Sequence, residues 1–184
     1  MSLLHFSIKF KAIRQFRSRG FTLIELLVTL AVLAIIAGIA TPSFIEMVRN
    51  SRARSSATEL ASMINFARSE AIKRSSSVTL CKSANPDDAT PACTANGNWS
   101  AGWVTFIDTN NNGTIDNGET VLRVGRPGGG TVAISSTAYA NLLRFNSRGV
   151  PGSSGNFQIC VEPVGRTLDI STIGRLHISK GVCP

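Results

Sequence analysis

The feature that most constrains this chain is an apolar run close to its start. From Phe21 to Thr41 there are 21 residues, and Glu25 is the only charged one among them. A helix of that length extends about 31 Å, at about 1.5 Å per residue, which matches the hydrocarbon core of a bilayer. The run therefore predicts a membrane-spanning helix that carries one carboxylate.

The charge distribution indicates how that helix is oriented. Residues 1–20 carry five Lys or Arg and no acid, whereas the rest of the chain has 14 basic and 11 acidic residues. Basic residues concentrate on the cytoplasmic side of membrane spans. A secretory signal peptide would be cut at small residues after the apolar run, and no such site is convincing here. We therefore interpret residues 1–20 as a cytoplasmic leader, with the remainder on the other side of the membrane.

An apolar stripe extends the helix beyond the membrane span. Its members are spaced 4, 3, 4, 3 and 4 residues apart, which is the period of one helix face. They are Ala53, Ala57, Leu60, Ile64, Ala67 and Ala71. Pro42 should bend the helix, because proline lacks an N–H and clashes with the preceding turn. We predict a helix over 21–74, transmembrane over 21–41, that ends near Ser75.

From residue 75 onward the pattern changes to short apolar segments separated by Pro, Gly, Asn and Asp turn signals. Strands are predicted over 78–81, 103–107, 120–124, 131–134, 142–145, 157–161, 167–170 and 176–179. The fold class is therefore α+β: a long N-terminal helix, transmembrane and then amphipathic, packed on an antiparallel β-sheet domain over 75–184.

All four cysteines follow the membrane span, at Cys81, Cys93, Cys160 and Cys183. None forms a C-x-x-C pair and the chain has only two histidines, so a zinc site is poorly supported. An even count beyond an export signal favours two disulfides in an oxidising compartment. Of the three possible ways to pair the four cysteines, we favour Cys81–Cys93 with Cys160–Cys183, since each of these disulfides closes a short loop of the chain. The alternative is one or more free buried thiols.

Several short motifs resemble one bacterial family. The segment Gly20 to Glu25 (G-F-T-L-I-E), after a basic leader, resembles the prepilin processing signature of type IV pilins and type II secretion pseudopilins. Further stretches are similar to FimT/GspH-type minor pilins and pseudopilins: 67–74, 78–81, 102–108, Asn112-Gly113 and Gly118-Glu119. The resemblance covers nearly everything from residue 20 onward, and it implies the pilin fold.

The resemblance also implies how the chain is processed and where it acts. A prepilin peptidase would cleave between Gly20 and Phe21, Phe21 would be N-methylated, and Glu25 and Pro42 would become the fifth and twenty-second residues. The implied function is a minor pilin of a type IV pilus, in its tip or initiation complex, with the major pilin and other minor pilins as partners. The alternative is a minor pseudopilin of a type II secretion system.

The same family implies a location. Before assembly the chain would cross the bacterial inner membrane once, with its β domain in the periplasm. After assembly it would lie in the extracellular pilus, or in a periplasmic pseudopilus. No enzyme is expected, because the sequence shows no nucleophile–histidine arrangement, phosphate-cradling loop or acid/base pair.

Glu25 can be interpreted from its chemistry alone. A carboxylate within lipid is unfavourable by several kcal/mol unless it is paired with a cation. Cleavage before Phe21 would create an amine at a suitable depth, on the same subunit or on a neighbour. Such an ion pair would favour transfer of the helix from the bilayer to the filament, and it would set the axial register between neighbouring helices. The alternative is a glutamate that only reaches toward the cytoplasmic interface.

One polar loop matches the calcium-loop pattern D-x-[DN]-x-[DN]-G-x₅-E. The candidate ligands are Asp108, Asn110, Asn112, Asp116 and Glu119, with Gly113 at the sharp turn. The flanking segments are predicted strands rather than helices, and Asn, Asp and Gly are also preferred in hairpin turns. The loop is therefore either a Ca²⁺ site or a polar hairpin connection.

A second candidate site lies in the basic C-terminal third. Gly174-Arg175-Leu176-His177 resembles the Gly-Arg-x-Arg element of FimT-type pilins that receive DNA in natural transformation, although His177 replaces the second arginine. Double-stranded DNA would be held through its phosphates, without sequence preference. Four other cations could contribute if they share a face: Arg144, Arg148, Arg166 and Lys180. The alternative is a structural or subunit-contact role for these residues.

Overall fold

A computed structural model describes residues 20–128 and 131–183. All but the last residue of the predicted leader lies outside the described residues. The described chain contains one helix and eight strands. It divides into two units, residues 1–41 and residues 42–184, and each unit is described by itself.

Helix α1 extends from Leu23 to Arg74 and confirms the predicted helix. The Thr22 hydroxyl accepts a hydrogen bond from the backbone N–H of Glu25 at 3.3 Å, which caps the first turn. Helix α1 continues through Pro42, although proline has no N–H to donate to the carbonyl four residues earlier. The helix ends where predicted, because Ser75 adopts a φ of 50° and its N–H bonds to the carbonyl of Ile72.

In the first unit, every described residue is exposed, including the whole predicted span from Phe21 to Thr41. Helix α1 is long and apolar enough to cross a membrane by length and composition. None of residues 20–41 is buried, so the apolar surface of these residues is available to lipid or to other helices.

The second unit contains two four-stranded antiparallel sheets. Sheet 1 has the order β3-β2-β1-β5, with β1 Val78–Lys82, β2 Trp103–Ile107, β3 Val121–Gly125 and β5 Leu142–Phe145. Sheet 2 has the order β4-β6-β7-β8, with β4 Ala133–Ser135, β6 Gly155–Val161, β7 Val164–Ile170 and β8 Leu176–Val182. All eight predicted strands are present, and the last three are longer than predicted.

The main core lies between α1 and the two sheets. All six members of the apolar stripe are buried, together with Leu80 and Phe145 of sheet 1 and Phe157 and Leu168 of sheet 2. Trp103 is buried in the same cluster. The four alanines of the stripe allow the helix backbone to approach the sheets closely. Since every buried apolar side chain described lies within 53–170, a fragment of residues 48–184 retains the core.

A smaller core covers the other face of sheet 1. Val104 and Phe106 are buried there, against Ile115 of the 108–120 loop and the Cys81–Cys93 disulfide. The second disulfide, Cys160–Cys183, joins the C-terminal segment to β6. The favoured pairing of the four cysteines is therefore the pairing in the structure.

Arg68 of α1 joins the β5–β6 loop, which connects the two sheets, to the β7–β8 loop. Its Nε donates to the carbonyl of Gly149 at 3.0 Å, and its Nη1 donates to the carbonyl of Gly174 at 2.9 Å. Both glycines have positive φ, 71° and 76°, so each turns its carbonyl toward the helix. Arg68 is half-buried and holds both loops against the helix.

We expect Arg68→Met to lower the free energy of unfolding of residues 48–184 by about 2–4 kcal/mol, since two charge-assisted hydrogen bonds are lost while the stem still packs. Urea unfolding followed by circular dichroism measures this. Arg52→Met, on an exposed residue of the same helix, is the matched control. Equal stability of the two variants would show that the Arg68 contacts contribute nothing.

Candidate functional sites

The predicted processing element is fully accessible. Gly20 precedes the helix, and a Cβ added there would meet no atom within 4 Å. No contact within the described chain therefore requires glycine at this position. Phe21 is 76% exposed. Close approach of a peptidase to the backbone would explain glycine at this position, whereas the fold itself does not require it.

Glu25 lies in the first turn of α1 and Thr22 caps that turn. This T-x-x-E arrangement is that of a capping box, and a carboxylate in the first turn is favoured by the helix dipole. Among the described residues, no cation lies within salt-bridge distance of Glu25. The geometry therefore keeps this carboxylate near the chain start, where cleavage would create the amine of Phe21. Pro42, the other residue predicted to act in assembly, is exposed within α1.

The loop with the calcium pattern is held by its own hydrogen bonds. Asp116 accepts from the side-chain amides of Asn110 and Asn112, both at 2.7 Å. These hydrogen bonds hold the pKa of Asp116 below its ordinary value of 3.8. Glu119 accepts from the backbone N–H and hydroxyl of Thr109 and from the N–H of Asp116. The carboxylates therefore already serve as acceptors within the loop.

Asp108, the first residue of the pattern, is fully buried beside a cation. Its Oδ2 accepts from the guanidinium of Arg144 at 2.9 Å, from the Thr79 hydroxyl at 2.7 Å and from the Gly113 N–H at 3.1 Å. Its Oδ1 has no hydrogen-bond donor in the described chain. A calcium ion would have to share this carboxylate with Arg144. The geometry favours the polar hairpin, and Ca²⁺ binding stays a prediction.

The six predicted DNA-binding residues do not share one face. Arg144 lies on the face of sheet 1 that the smaller core covers. It is the register partner of Thr79 and is bound to Asp108. His177 lies opposite Asp169 in the β7–β8 register, and alternation along β8 places it on the other face from Leu176, which packs on the main core. Arg144 and His177 line neither of the grooves that hold Arg166, Lys180 and Arg175.

Arg166 and Lys180 do come together. They are register partners on β7 and β8 and line a groove of about 310 Å³ with Arg54 and Thr58 of α1. Arg166 also donates to the Asn50 side chain at 2.9 Å. A second groove of about 400 Å³ lies between α1 and the start of β8, and Arg68 and Arg175 line it. Of the described residues that line these two grooves, none is acidic.

We call these two grooves the helix–β8 seam. The contribution of Arg54 to this seam was not predicted. The spacing in the sequence could have indicated it, because Arg54 and Arg68 are 14 residues apart, about four turns, and so lie on the same side of the helix. Arg148 lies next to Gly149, in the loop that Arg68 holds beside Gly174.

Two family models match the chain. The model described as type II transport protein GspH matches residues 56–174. The model of the prokaryotic N-terminal methylation motif matches residues 15–41. The chain belongs to the GspH family. The resemblance to FimT/GspH-type minor pilins is thereby confirmed.

Solved structures confirm the pilin fold of this GspH-type chain. A crystal structure of the Pseudomonas aeruginosa (strain PAO1) type IV minor pilin FimU, in space group P21, is similar with a TM-score of 0.55 and 22% identity, over 74% of this chain and 92% of that one. Its P65 form gives a TM-score of 0.52 and 22% identity, over 68% and 91%. A comparison with curated proteins found no match.

The match to GspH ends at Gly174, one residue before Arg175. The basic residues of β8 therefore lie outside the part of this family member that the model matches. Their role has to be inferred from the surfaces that they form.

We expect Asp108→Asn to lower the free energy of unfolding of residues 48–184 by about 3 kcal/mol, because Arg144 would lose its buried counter-charge. Urea unfolding measures the loss. A double-mutant cycle with Arg144→Met measures the Asp108–Arg144 interaction apart from other effects on the loop. If the two residues are coupled, the double variant should be less destabilised than the sum of the two single variants. Strict additivity would contradict a stabilising ion pair.

Proposed function

We propose that the chain is a minor pilin of a type IV pilus, cleaved between Gly20 and Phe21, methylated on Phe21 and incorporated near the pilus tip. The observation that carries this proposal is the first unit. Its apolar helix is exposed throughout and holds one carboxylate, Glu25, in the first turn after the cleavage signature. Membership of the GspH family and the match to the methylation motif support the same processing.

The assembly step follows from the energetics of Glu25. In lipid its charge is costly, whereas the Phe21 amine on a neighbouring subunit supplies an opposite charge. Methylation of that amine retains its positive charge. Pairing the two groups would stabilise the fibre relative to the bilayer and would fix the axial position of each helix.

A pilus is preferred to a secretion pseudopilus because of the charge in the C-terminal third. Residues 120–184 carry seven Lys or Arg and only two acids, and the helix–β8 seam concentrates part of that charge on one surface. If the chain were instead a pseudopilin, its partner would be an exported protein. Neighbouring genes discriminate between the two: pilus-assembly genes support the proposal, and a secretion operon contradicts it.

We expect Glu25→Ala to leave membrane insertion and cleavage intact and to reduce incorporation into fibres severalfold, since removal of the carboxylate makes the lipid state less costly and abolishes the ion pair. The amounts in sheared fibres and in the membrane fraction, with the mass of the processed N-terminus, measure this. Glu46→Ala removes an exposed carboxylate from the same helix beyond the span and should behave like wild type. Normal incorporation of Glu25→Ala would refute the charge-pairing mechanism.

A second candidate function is capture of double-stranded DNA, and the helix–β8 seam is the observation that favours it. Five cations line its two grooves, from Arg54, Arg68, Arg166, Arg175 and Lys180. Cations on one side of a groove suit a phosphate backbone where no acid lies among them. None of the described residues that line these grooves is acidic or aromatic, so the contact would be electrostatic, without base stacking.

We expect residues 48–184 to shift double-stranded DNA in a gel at low salt and to release it at high salt. Arg175→Ala and Lys180→Ala should each weaken binding and reduce the slope of log affinity against log salt by about 0.9. Arg126→Ala, a residue ion-paired with Asp87 and outside the seam, is the charge-matched control. Equal binding by wild type, both seam variants and the control would exclude the seam as the site.

A further inference from the structure

An exposed apolar cluster lies at the C-terminal end of α1, where the two loops held by Arg68 meet the helix. Ile173 is 61% exposed, Ile72 is 50% exposed and Val150 is 36% exposed. Single exposed apolar residues are ordinary, but neighbouring ones flanked by charges are typical of protein-binding surfaces. Arg148 and Arg175 flank this cluster. We call these five residues the distal patch.

Contacts within the fold bring the three segments of the distal patch together. A Cβ added at Gly149 would lie 2.6 Å from Ile72 Cδ1, so Ile72 packs directly on the loop that carries Arg148 and Val150. A Cβ added at Gly174 would lie 3.2 Å from the carbonyl oxygen of Gly149, so the loop that carries Ile173 adjoins the first loop. Since Arg68 binds both glycine carbonyls, the patch is held in one arrangement before any partner arrives.

The flanking arginines are available to a partner. Arg148 and Arg175 are both exposed, and no carboxylate of the described chain lies within salt-bridge distance of either. Arginine is enriched in the energetically dominant parts of protein interfaces, where its guanidinium pairs with carboxylates in two-point contacts. The patch therefore has an apolar centre and a basic rim.

Two classes of non-protein ligand fit this surface poorly. About 45 Å of helix separates Ile72 from Pro42 at about 1.5 Å per residue, which exceeds the depth of a lipid headgroup layer. A nucleic acid would contact the rim through its phosphates but would leave the isoleucines uncovered, because the patch offers no aromatic side chain for stacking. An apolar centre with a basic rim fits a protein surface with an apolar side chain between carboxylates.

We propose that the distal patch docks another subunit of the fibre, through an apolar side chain of that subunit flanked by Asp or Glu. This inference rests on the proposed function, since it presumes that the chain is incorporated in a fibre. It goes beyond that function by assigning a contact of the β domain, separate from the packing of the N-terminal helices. Ile173 supplies the centre of the contact, and Arg148 selects for an acidic partner.

The test is site-specific cross-linking in fibres assembled by cells. A photo-reactive amino acid replaces Ile173, and in a control chain it replaces Ala95, an exposed residue in the loop between β1 and β2. After shearing, cross-linked products are identified by mass spectrometry. We expect position 173 to yield a product with another fibre subunit, at a segment that contains Asp or Glu, and position 95 to yield none above background.

Charge variants then test the basic rim. Arg148→Glu should lower the yield from position 173, per chain incorporated, by about tenfold, because like charges would face each other. Arg148→Lys should retain most of the yield. Products only with DNA or with proteins outside the fibre, or a yield that Arg148→Glu does not change, would overturn the inference. Absence of the chain from fibres would refute the proposed function itself, whereas incorporated chains without a product at position 173 would refute this docking contact alone.

Discussion

Close packing of the alanine-rich stripe of α1 against two sheets is the interaction on which the rest of the β domain depends. Ala53, Ala57, Ala67 and Ala71 are all fully buried, and a core packed to this density does not accept larger side chains without moving the backbone. The sheets belong to separate hydrogen-bonded ladders. The helix supplies apolar surface to both sheets, so without it the inner faces of both sheets would be exposed to water.

The same packing fixes the rotation of α1 about its axis, and that rotation decides where its charges lie. With the alanine stripe turned inward, Arg68 lies where its guanidinium meets the carbonyls of Gly149 and Gly174. Arg54 lies beside Arg166 and Lys180 in the first groove of the seam. Two overlapping surfaces therefore follow from one helix orientation: the basic helix–β8 seam and the partly apolar distal patch, which share Ile173 and Arg175.

Local patterns were sufficient to predict the elements of the fold but not their assembly. The apolar run and the apolar stripe at helical period together predicted α1 to within two residues of its start, and cysteine spacing favoured both disulfides. The division into two sheets was not predicted, because strand order depends on contacts between segments remote in sequence. The same limit applies to side chains: Asp108 and Arg144 are 36 residues apart, and Arg68 bonds to residues 81 and 106 positions away. From the sequence alone, Asp108 was a candidate calcium ligand and Arg144 a candidate DNA contact, and nothing indicated that they pair with each other.

The two parts of α1 place opposite demands on their surroundings. The second unit has its own core, so the α1 segment packed in it gains its stability inside the chain. The first unit exposes every described apolar side chain, and it needs either lipid or other helices to cover them. Lipid covers the apolar surface but leaves Glu25 without a counter-charge, whereas a bundle of processed helices provides both apolar contact and an amine. Because the second unit already has its own buried core, the proposed transfer from membrane to fibre requires no refolding of the β domain, and its surfaces can be ready for partners before transfer begins.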